Sequence, residues 1–271
     1  MSHYLDIAVN MIGSALEPEL DSVISGAEAK GVSPLILIGS DLDESRAVIE
    51  LCQRYPGKLY ATAGVHPHHA SGWHTGSETL QTELCQSPLV VAVGECGLDY
   101  NRDFSPRPQQ REAFAAQLSL AVKLGKPVLM HERDAHDDFI AIVREHRAEL
   151  KGALLHCFTG SRAQMETCIE LGLHLGITGW VCDERRGQEL AELVKHIPAD
   201  RLLIETDSPY LLPRSMRPKP KSGKNLPEYL PYIAAEIARL RGEDAEEFSR
   251  RTYQNSLRFF NLDAAARSQD A

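Results

Sequence analysis

The sequence lacks the features that mark membrane-spanning and disulfide-rich proteins. No apolar run approaches the ~18 residues of a transmembrane helix, and the N-terminus shows no basic segment followed by an apolar core. The six cysteines are scattered through 271 residues with no Cys-x-x-Cys pair, which favours reduced thiols over a disulfide framework. We therefore expect a cytoplasmic protein that does not bind membranes.

Signature motifs of several enzyme classes are also missing. The sequence has no Gly-x-Gly-x-x-Gly after its first apolar run, no Walker A loop, no Gly-x-Ser-x-Gly elbow and no Pro-Cys-x-x-Cys deaminase pattern. His131 and His136 are five residues apart rather than the four of the zincin helix. The net charge of −9 argues against electrostatic binding of nucleic acid over the whole surface, although a local basic site stays compatible with it.

The remaining composition is that of an ordinary globular protein, with 43% apolar and 25% charged residues. Short, nearly continuous apolar runs predict buried parallel strands. These runs are Leu5–Asn10, Pro34–Ser40, Leu59–His66, Val90–Cys96, Pro127–Glu132, Ala153–Phe158, His174–Gly179 and Leu202–Asp207.

Stretches with a helical spacing of apolar residues lie between these runs. The clearest are Glu17–Lys30, Pro108–Leu124, Ala163–Leu171, Gly187–His196 and Pro227–Arg241. Asp41 and Ser161 are expected helix N-caps. Eight strand–helix units in ~250 residues match a (β/α)8 barrel, with an open doubly wound sheet as the alternative. We predict an α/β fold with one barrel domain over 1–262 and a frayed tail over 263–271.

Ionisable side chains stand where the predicted strands end, which is the edge at which (β/α)8 barrels carry their active sites. They are His66, His68, Glu95, Asp99, His131, His156, Glu205 and Asp207. Imidazoles and carboxylates that converge on one point are ligands of a catalytic divalent metal, and three protein ligands leave a position open for a nucleophile. We expect Glu95, His131 and His156 to bind the metal. Asp207 is expected to be a further ligand or a general base.

Basic residues follow the same strand ends. Arg133 follows the fifth predicted strand, and the Pro-rich loop after the eighth has no acidic residue between its first and last cations. Those cations are Arg214, Arg217, Lys219, Lys221 and Lys224. In a protein of net charge −9, such a run favours an anionic, phosphorylated ligand. The aromatic candidates for stacking on bases are Trp73, Tyr100, Trp180 and Tyr210.

Five motifs follow one another along the chain, namely GVHPH, GECGLDY, His131-x-Arg133-Asp134-Ala135, HCFTG and ETDSPYLLP. Together and in this order they resemble the TatD family of metal-dependent deoxyribonucleases. The resemblance extends from Asp6 to about Phe260 and implies an amidohydrolase-like (β/α)8 barrel that removes nucleotides from the 3′ end of DNA. It also implies a metal on Glu95, His131 and His156 with Asp207 beside it, and it places His66 and His68 towards the phosphate.

The first predicted strand departs from the family pattern. Most family members begin with Asp-x-His-x-His, whereas this chain has Asp6-Ile7-Ala8-Val9-Asn10 and lacks both histidines. A two-metal centre would lose two ligands here. Oxygens from Asp6 and Asn10 would favour a hard ion such as Mg²⁺. Mg²⁺ is therefore the expected ion, with Mn²⁺ and Zn²⁺ as alternatives.

The resulting hypothesis is a divalent-metal-dependent 3′→5′ exonuclease that prefers single-stranded DNA, with RNA as a further substrate and a role in DNA repair or turnover. Asp207 would orient or deprotonate the attacking water, while His66 or His68 and Arg133 would neutralise charge on the phosphate. Two other hydrolases stay open, namely a D-aminoacyl-tRNA deacylase and an amidohydrolase that cuts a C–N bond. A non-catalytic barrel that binds nucleic acid is the third alternative. A monomer is favoured.

Overall fold

Eight strands form the central sheet of the protein, whose computed structural model describes residues 3–263. They are β1 (Tyr4–Val9), β2 (Val32–Leu37), β3 (Leu59–Ala63), β4 (Val90–Asp99), β5 (Val128–Arg133), β6 (Ala153–Leu155), β7 (His174–Ile177) and β8 (Leu202–Ile204). Every predicted strand is present, and the sheet order follows the chain order from β1 to β8. The tail predicted over 263–271 lies outside the described residues from residue 264 onward.

The first and last strands meet, which closes the sheet. Val9 forms a parallel bridge with Ser208, and the backbone N–H of Asn10 donates to the carbonyl of Ser208 at 2.8 Å. A parallel sheet in chain order that returns to its first strand is the sheet of a (β/α)8 barrel. The predicted fold class is therefore confirmed, and the open doubly wound alternative is wrong.

Nine α-helices connect the described strands and follow the last of them. They are α1 (Leu20–Ala29), α2 (Leu42–Arg54), α3 (Thr75–Cys85), α4 (Arg107–Leu124), α5 (His136–His146), α6 (Arg162–Glu170), α7 (Gln188–Leu193), α8 (Leu230–Arg241) and α9 (Ala245–Phe259). Asp41 caps α2 as predicted, because its side chain accepts the N–H of Glu44 at 2.8 Å. Among the described residues, no helix is long and apolar enough to cross a membrane.

The described residues cluster into two compact units. One contains Leu37–His156 and Glu170–His174, with β3 to β6 paired in parallel, and its core includes the stacked rings of Phe114 and Phe139, 5.3 Å apart. The other contains the rest of the described chain, where β7 pairs in parallel with β8. The expectation of a single domain over 1–262 stays a prediction.

Candidate metal centre

Glu95 lies in β4 between two glycines that let the neighbouring backbones come close. A Cβ on Gly97 would lie 1.9 Å from the carbonyl oxygen of His131, and a Cβ on Gly94 would lie 2.2 Å from that of Leu129. Both glycines also have positive φ angles, 133° at Gly94 and 144° at Gly97, which side-chain-bearing residues rarely adopt. The two glycines of the Gly-Glu-Cys-Gly sequence therefore allow β4 to approach β5 closely on either side of Glu95.

Three imidazoles surround one oxygen of Glu95. Its Oε1 atom lies 3.4 Å from His66 Nε2, 3.2 Å from His131 Nδ1 and 2.8 Å from His156 Nε2. His131 belongs to β5, while His66 and His156 follow β3 and β6. Burial opposes ionisation of Glu95, but His156 and His66 outweigh it and hold the pKa of the carboxyl well below its usual range. An anionic carboxylate therefore stands among three buried or half-buried imidazoles.

Asp99, the last residue of β4, contacts two of the histidines. Its Oδ2 atom lies 2.8 Å from His68 Nε2 and 3.5 Å from His131 Nε2. Its Oδ1 atom accepts the backbone N–H groups of Asn101 and Arg102. Burial would raise the pKa of Asp99, yet its contacts with His131 and His68 hold that pKa well below the ordinary value. Asp99 thus links His131 and His68 through one carboxylate oxygen.

Hydrogen bonding decides which imidazole nitrogens can bind a cation. His66 Nδ1 accepts the backbone N–H of His68 at 3.1 Å, so the lone pair is at Nδ1 and the proton is at Nε2, facing Glu95. Burial lowers the pKa of His66 to about 4, so the ring is neutral near pH 7. His131 Nε2 lies 3.5 Å from Asp99 Oδ2 and its Nδ1 lies 3.2 Å from Glu95 Oε1, so a proton held at Nε2 would leave the Nδ1 lone pair available to a cation. His66 thus presents a donor to Glu95, whereas His131 could hold a metal.

The cluster has the spacing of a metal site. One ligand atom from each of His66, Glu95 and His131 lies within 4.8 Å of the others. His156 Nε2 is the nitrogen closest to Glu95, at 2.8 Å, so His156 could also reach a cation held there. Burial lowers the pKa of His131, but contacts with Asp99 and Glu95 outweigh this and shift that pKa upward. The predicted group Glu95, His131 and His156 could therefore offer one carboxylate and two imidazoles to a divalent cation.

Asp207 lies in the other unit, held at the closure of β1 and β8. Asn10 Nδ2 donates to Asp207 Oδ1 at 2.9 Å and to the carbonyl of Ser208 at 3.2 Å. Asp6, suggested above as an oxygen ligand, accepts the backbone N–H and the hydroxyl of Thr206. Of Ala8 and Asn10, which stand where the family pattern has histidines, Asn10 therefore fixes the carboxylate of Asp207, and oxygen ligation by Asp6 and Asn10 stays a prediction.

Some of the predicted phosphate-binding residues already form ion pairs or hydrogen bonds within the protein, whereas others are exposed. Arg214 faces the buried carboxylate of Asp183 at 3.5 Å, and Lys224 pairs with Glu19 at 2.8 Å. Arg217 donates to two backbone carbonyls of its own loop, from Arg214 and Met216. Arg133, Lys219 and Lys221 are exposed. The sequence could not show the acidic partners, because they come from distant segments.

Two of the predicted stacking aromatics are covered by arginines. Arg107 lies over the ring of Tyr100 at 4.3 Å, and Arg186 lies over that of Trp180 at 4.4 Å. Trp180, Arg186 and Arg214 line a pocket of about 200 Å³. The most exposed large apolar side chain of the described residues is one that sequence reasoning missed, Phe104, at 66% exposure.

The sequence placed Asp99 at the end of the fourth strand but indicated no role for it, and it did not single out Phe104. For Asp99 the sequence did carry a signal, because residues four apart on a strand point to the same face, and Glu95 was already a candidate. For Phe104 it carried none, since an aromatic residue in a loop is as compatible with packing as with binding.

Comparisons with known proteins agree with this architecture. A family model described as TatD related DNase matches residues 5–261. Proteins named 3′-5′ ssDNA/RNA exonuclease TatD, from Erwinia tasmaniensis and Edwardsiella piscicida, are each 50% identical to this chain over 95% of its length and 99% of theirs. The solved structure of YJJV, a TatD homolog from Escherichia coli K12, has a TM-score of 0.86 at 25% identity, over 95% of this chain and 98% of that one. That of a TatD family hydrolase from Entamoeba histolytica has a TM-score of 0.83 at 26% identity, with the same two coverages.

Proposed function

Because the chain belongs to the TatD related DNase family, we propose that it is a divalent-metal-dependent 3′→5′ exonuclease acting on single-stranded DNA and RNA. The observation that carries the proposal is the buried Glu95 carboxylate, whose Oε1 lies within 3.4 Å of three imidazole nitrogens. The names of the 50% identical relatives support the substrate and the direction of cleavage. A cytoplasmic location and a role in DNA repair or turnover belong to the same proposal.

The donor set fits a divalent metal. Glu95 is anionic because neighbouring imidazoles lower its pKa. We infer that Asp99, 3.5 Å from His131 Nε2, keeps the proton of His131 on that nitrogen and leaves the Nδ1 lone pair for a cation. We assign Glu95, His131 and His156 as the ligands. A divalent ion at this position supplies Lewis-acid polarisation of the phosphoryl group and activation of water.

The surrounding side chains have distinct roles in this proposal. His66 is neutral with its one proton at Nε2, and its proposed role is to turn this N–H from Glu95 to a phosphate oxygen, a hydrogen bond that adds no charge. His68 donates through Nε2 to Asp99, which leaves Nδ1 to exchange a proton with the leaving group. Asp207, whose carboxylate Asn10 orients, takes the proton of the attacking water. Arg133, at the exposed end of β5, neutralises phosphate charge.

The identity of the ion follows from competing preferences. Mg²⁺ prefers oxygen ligands, whereas imidazoles bind Mn²⁺ and Zn²⁺ more tightly. Two imidazoles and one carboxylate therefore favour Mn²⁺ or Zn²⁺ by affinity. Mg²⁺ remains our proposed ion, but we expect it to be needed at a higher concentration than Mn²⁺ for the same rate.

The test is cleavage of 5′-labelled single-stranded DNA with Mg²⁺, Mn²⁺, Zn²⁺ or EDTA. We expect a ladder that shortens from the 3′ end with metal and is lost in Glu95→Ala and His156→Ala. The matched control is His146→Ala. His146 is the last residue of α5 and is hydrogen-bonded to Ser119 of α4 at the surface. Full activity of Glu95→Ala would refute the assignment of the centre.

The same preparation distinguishes the alternative functions. Hydrolysis of a D-aminoacyl-tRNA ester without cleavage of DNA or RNA would replace the nuclease with the deacylase. Binding of a single strand with no turnover under any metal would replace it with the non-catalytic barrel.

A further inference from the structure

Phe104 is an apolar side chain presented to solvent beside the metal centre. Among the described residues, only Phe104 and Tyr210 are large apolar side chains that are mostly exposed, at 66% and 57%. An exposed phenyl ring gains nothing from burial in this state, because most of its area stays in water. Its position therefore calls for a reason other than the packing of the core.

The residues on both sides of Phe104 are held by an ion pair and by hydrogen bonds. Asp103 is held by a forked ion pair with Arg107, with the closer contact at 2.8 Å. The hydroxyl of Ser105 donates to the carbonyl of His68 at 3.0 Å, and the carbonyl of Ser105 accepts Gln110 Nε2 at 2.8 Å. The exposed ring thus stands on an ordered loop, which lowers the entropy lost when a ligand stacks on it.

The ring lies next to the catalytic histidines. Its centroid is 4.8 Å from that of His68, at an interplanar angle of 63°, and the rings of His68 and His66 are 4.2 Å apart. His66 Nε2 is 3.4 Å from Glu95 Oε1. Two ring contacts therefore connect Phe104 to the carboxylate of the proposed metal centre, and both belong to the same compact unit.

We propose that Phe104 is a stacking platform for the nucleobase that adjoins the phosphate held at the metal centre. This inference deepens the proposed nuclease function and rests on it. A phenyl face stacks on any base, so the platform suits an enzyme that degrades a strand without reading its sequence. A protein partner would require a contiguous apolar patch, whereas this ring is accompanied by the ion pair of Asp103 and Arg107.

The first test combines the Phe104→Ala variant with a substrate that lacks the base at its 3′ end. Two substrates are compared, an oligonucleotide with normal bases and one with an abasic tetrahydrofuran residue at its 3′ end. Stacking is worth ~1–3 kcal/mol per base, so Phe104→Ala should raise KM for the normal strand ~5- to 150-fold. It should leave KM for the abasic strand within about twofold, because that strand has no base to lose. Equal effects on both strands would overturn the platform.

Two conservative variants separate stacking from apolar contact. Phe104→Tyr retains the aromatic face and should restore the wild-type KM. Phe104→Leu retains most of the apolar volume without the face and should resemble Phe104→Ala. If Phe104→Leu also restored KM, simple apolar contact would explain the effect and the platform would be wrong.

The second test follows binding without turnover. An oligonucleotide ending in 2-aminopurine is titrated into the Glu95→Ala protein in EDTA, and its fluorescence is recorded. Stacking on Phe104 should quench the probe, and the quench should disappear in Glu95→Ala/Phe104→Ala. Quenching without cleavage by the wild-type enzyme would refute the proposed function and support the platform. Cleavage with neither quenching nor dependence on Phe104 would support the function and overturn the platform.

Discussion

Replacing Asp99 should weaken metal binding, although we do not assign Asp99 as a ligand. Its Oδ2 atom lies 3.5 Å from His131 Nε2 and 2.8 Å from His68 Nε2. Carboxylates that orient a ligating histidine typically contribute 10- to 100-fold to metal affinity, which is about 1.4–2.7 kcal/mol. In Asp99→Asn the side chain retains its size, and its Oδ1 can still accept the N–H groups of Asn101 and Arg102. Its amide N–H groups, however, would face imidazole N–H groups, so the orientation of His131 is lost.

Calorimetric titration with Mn²⁺ measures this effect directly. We expect the Kd of Asp99→Asn to rise ~10- to 100-fold, and we expect no change in Asp103→Asn. Asp103 is the matched control because it is an aspartate of the following loop that pairs with Arg107 at the surface. Thermal melting of the metal-free proteins reports whether the fold is intact. A folded Asp99→Asn protein with the wild-type Kd for Mn²⁺ would show that Asp99 does not orient His131.

Three further predictions concern packing, pH and charge. Gly97→Ala should lower the free energy of unfolding by more than ~2 kcal/mol in urea titrations, because the added Cβ meets a carbonyl of β5 at 1.9 Å where φ is 144°; unchanged unfolding would contradict the close strand contact. Burial raises the pKa of Asp6 to about 8, so native Asp6 keeps a proton that the unfolded chain releases near its ordinary pKa of 3.8. Stability should therefore fall as the pH rises from about 4 to about 8, and Asp6→Asn should flatten this decline in urea midpoints measured at several pH values. If Lys219 and Lys221 contact phosphates, Lys219→Gln and Lys221→Gln should each make the slope of log K against log salt concentration shallower by about one. The binding constant K for the single strand is measured by fluorescence anisotropy. Lys224→Gln should leave this slope unchanged, because Glu19 already pairs with Lys224 at 2.8 Å.

The sequence predicted that each of the eight strands exists, but it predicted less well the residue at which a strand ends. Apolar runs located all eight strands because buried parallel strands are apolar on both faces. The sixth was expected to continue to Phe158, but it ends at Leu155, and Cys157 takes a positive φ of 49°. A non-glycine residue in this conformation leaves no signature in the sequence. His156 stands at this break, so its orientation could not be foreseen.

The same limit applies to the centre itself. The positions of Glu95, His131 and His156 at strand ends were enough to predict that they would meet. The different protonation of His66 and His131 depends on which groups face their second nitrogens, namely the backbone N–H of His68 and the carboxylate of Asp99. These contacts arise only when separate strands are aligned, and a single sequence does not encode that alignment in a readable form.

The amide of Asn10 has a consequence for the range of conditions in which the enzyme would work. A histidine at this position would change its charge between pH 5 and 8, and its hold on Asp207 would change with it. An amide has no proton to gain or lose over that interval, so the 2.9 Å hydrogen bond from Asn10 to Asp207 persists in mild acid. Because Asn10 carries an amide where the family pattern has an imidazole, the group that positions Asp207 does not change its charge with pH.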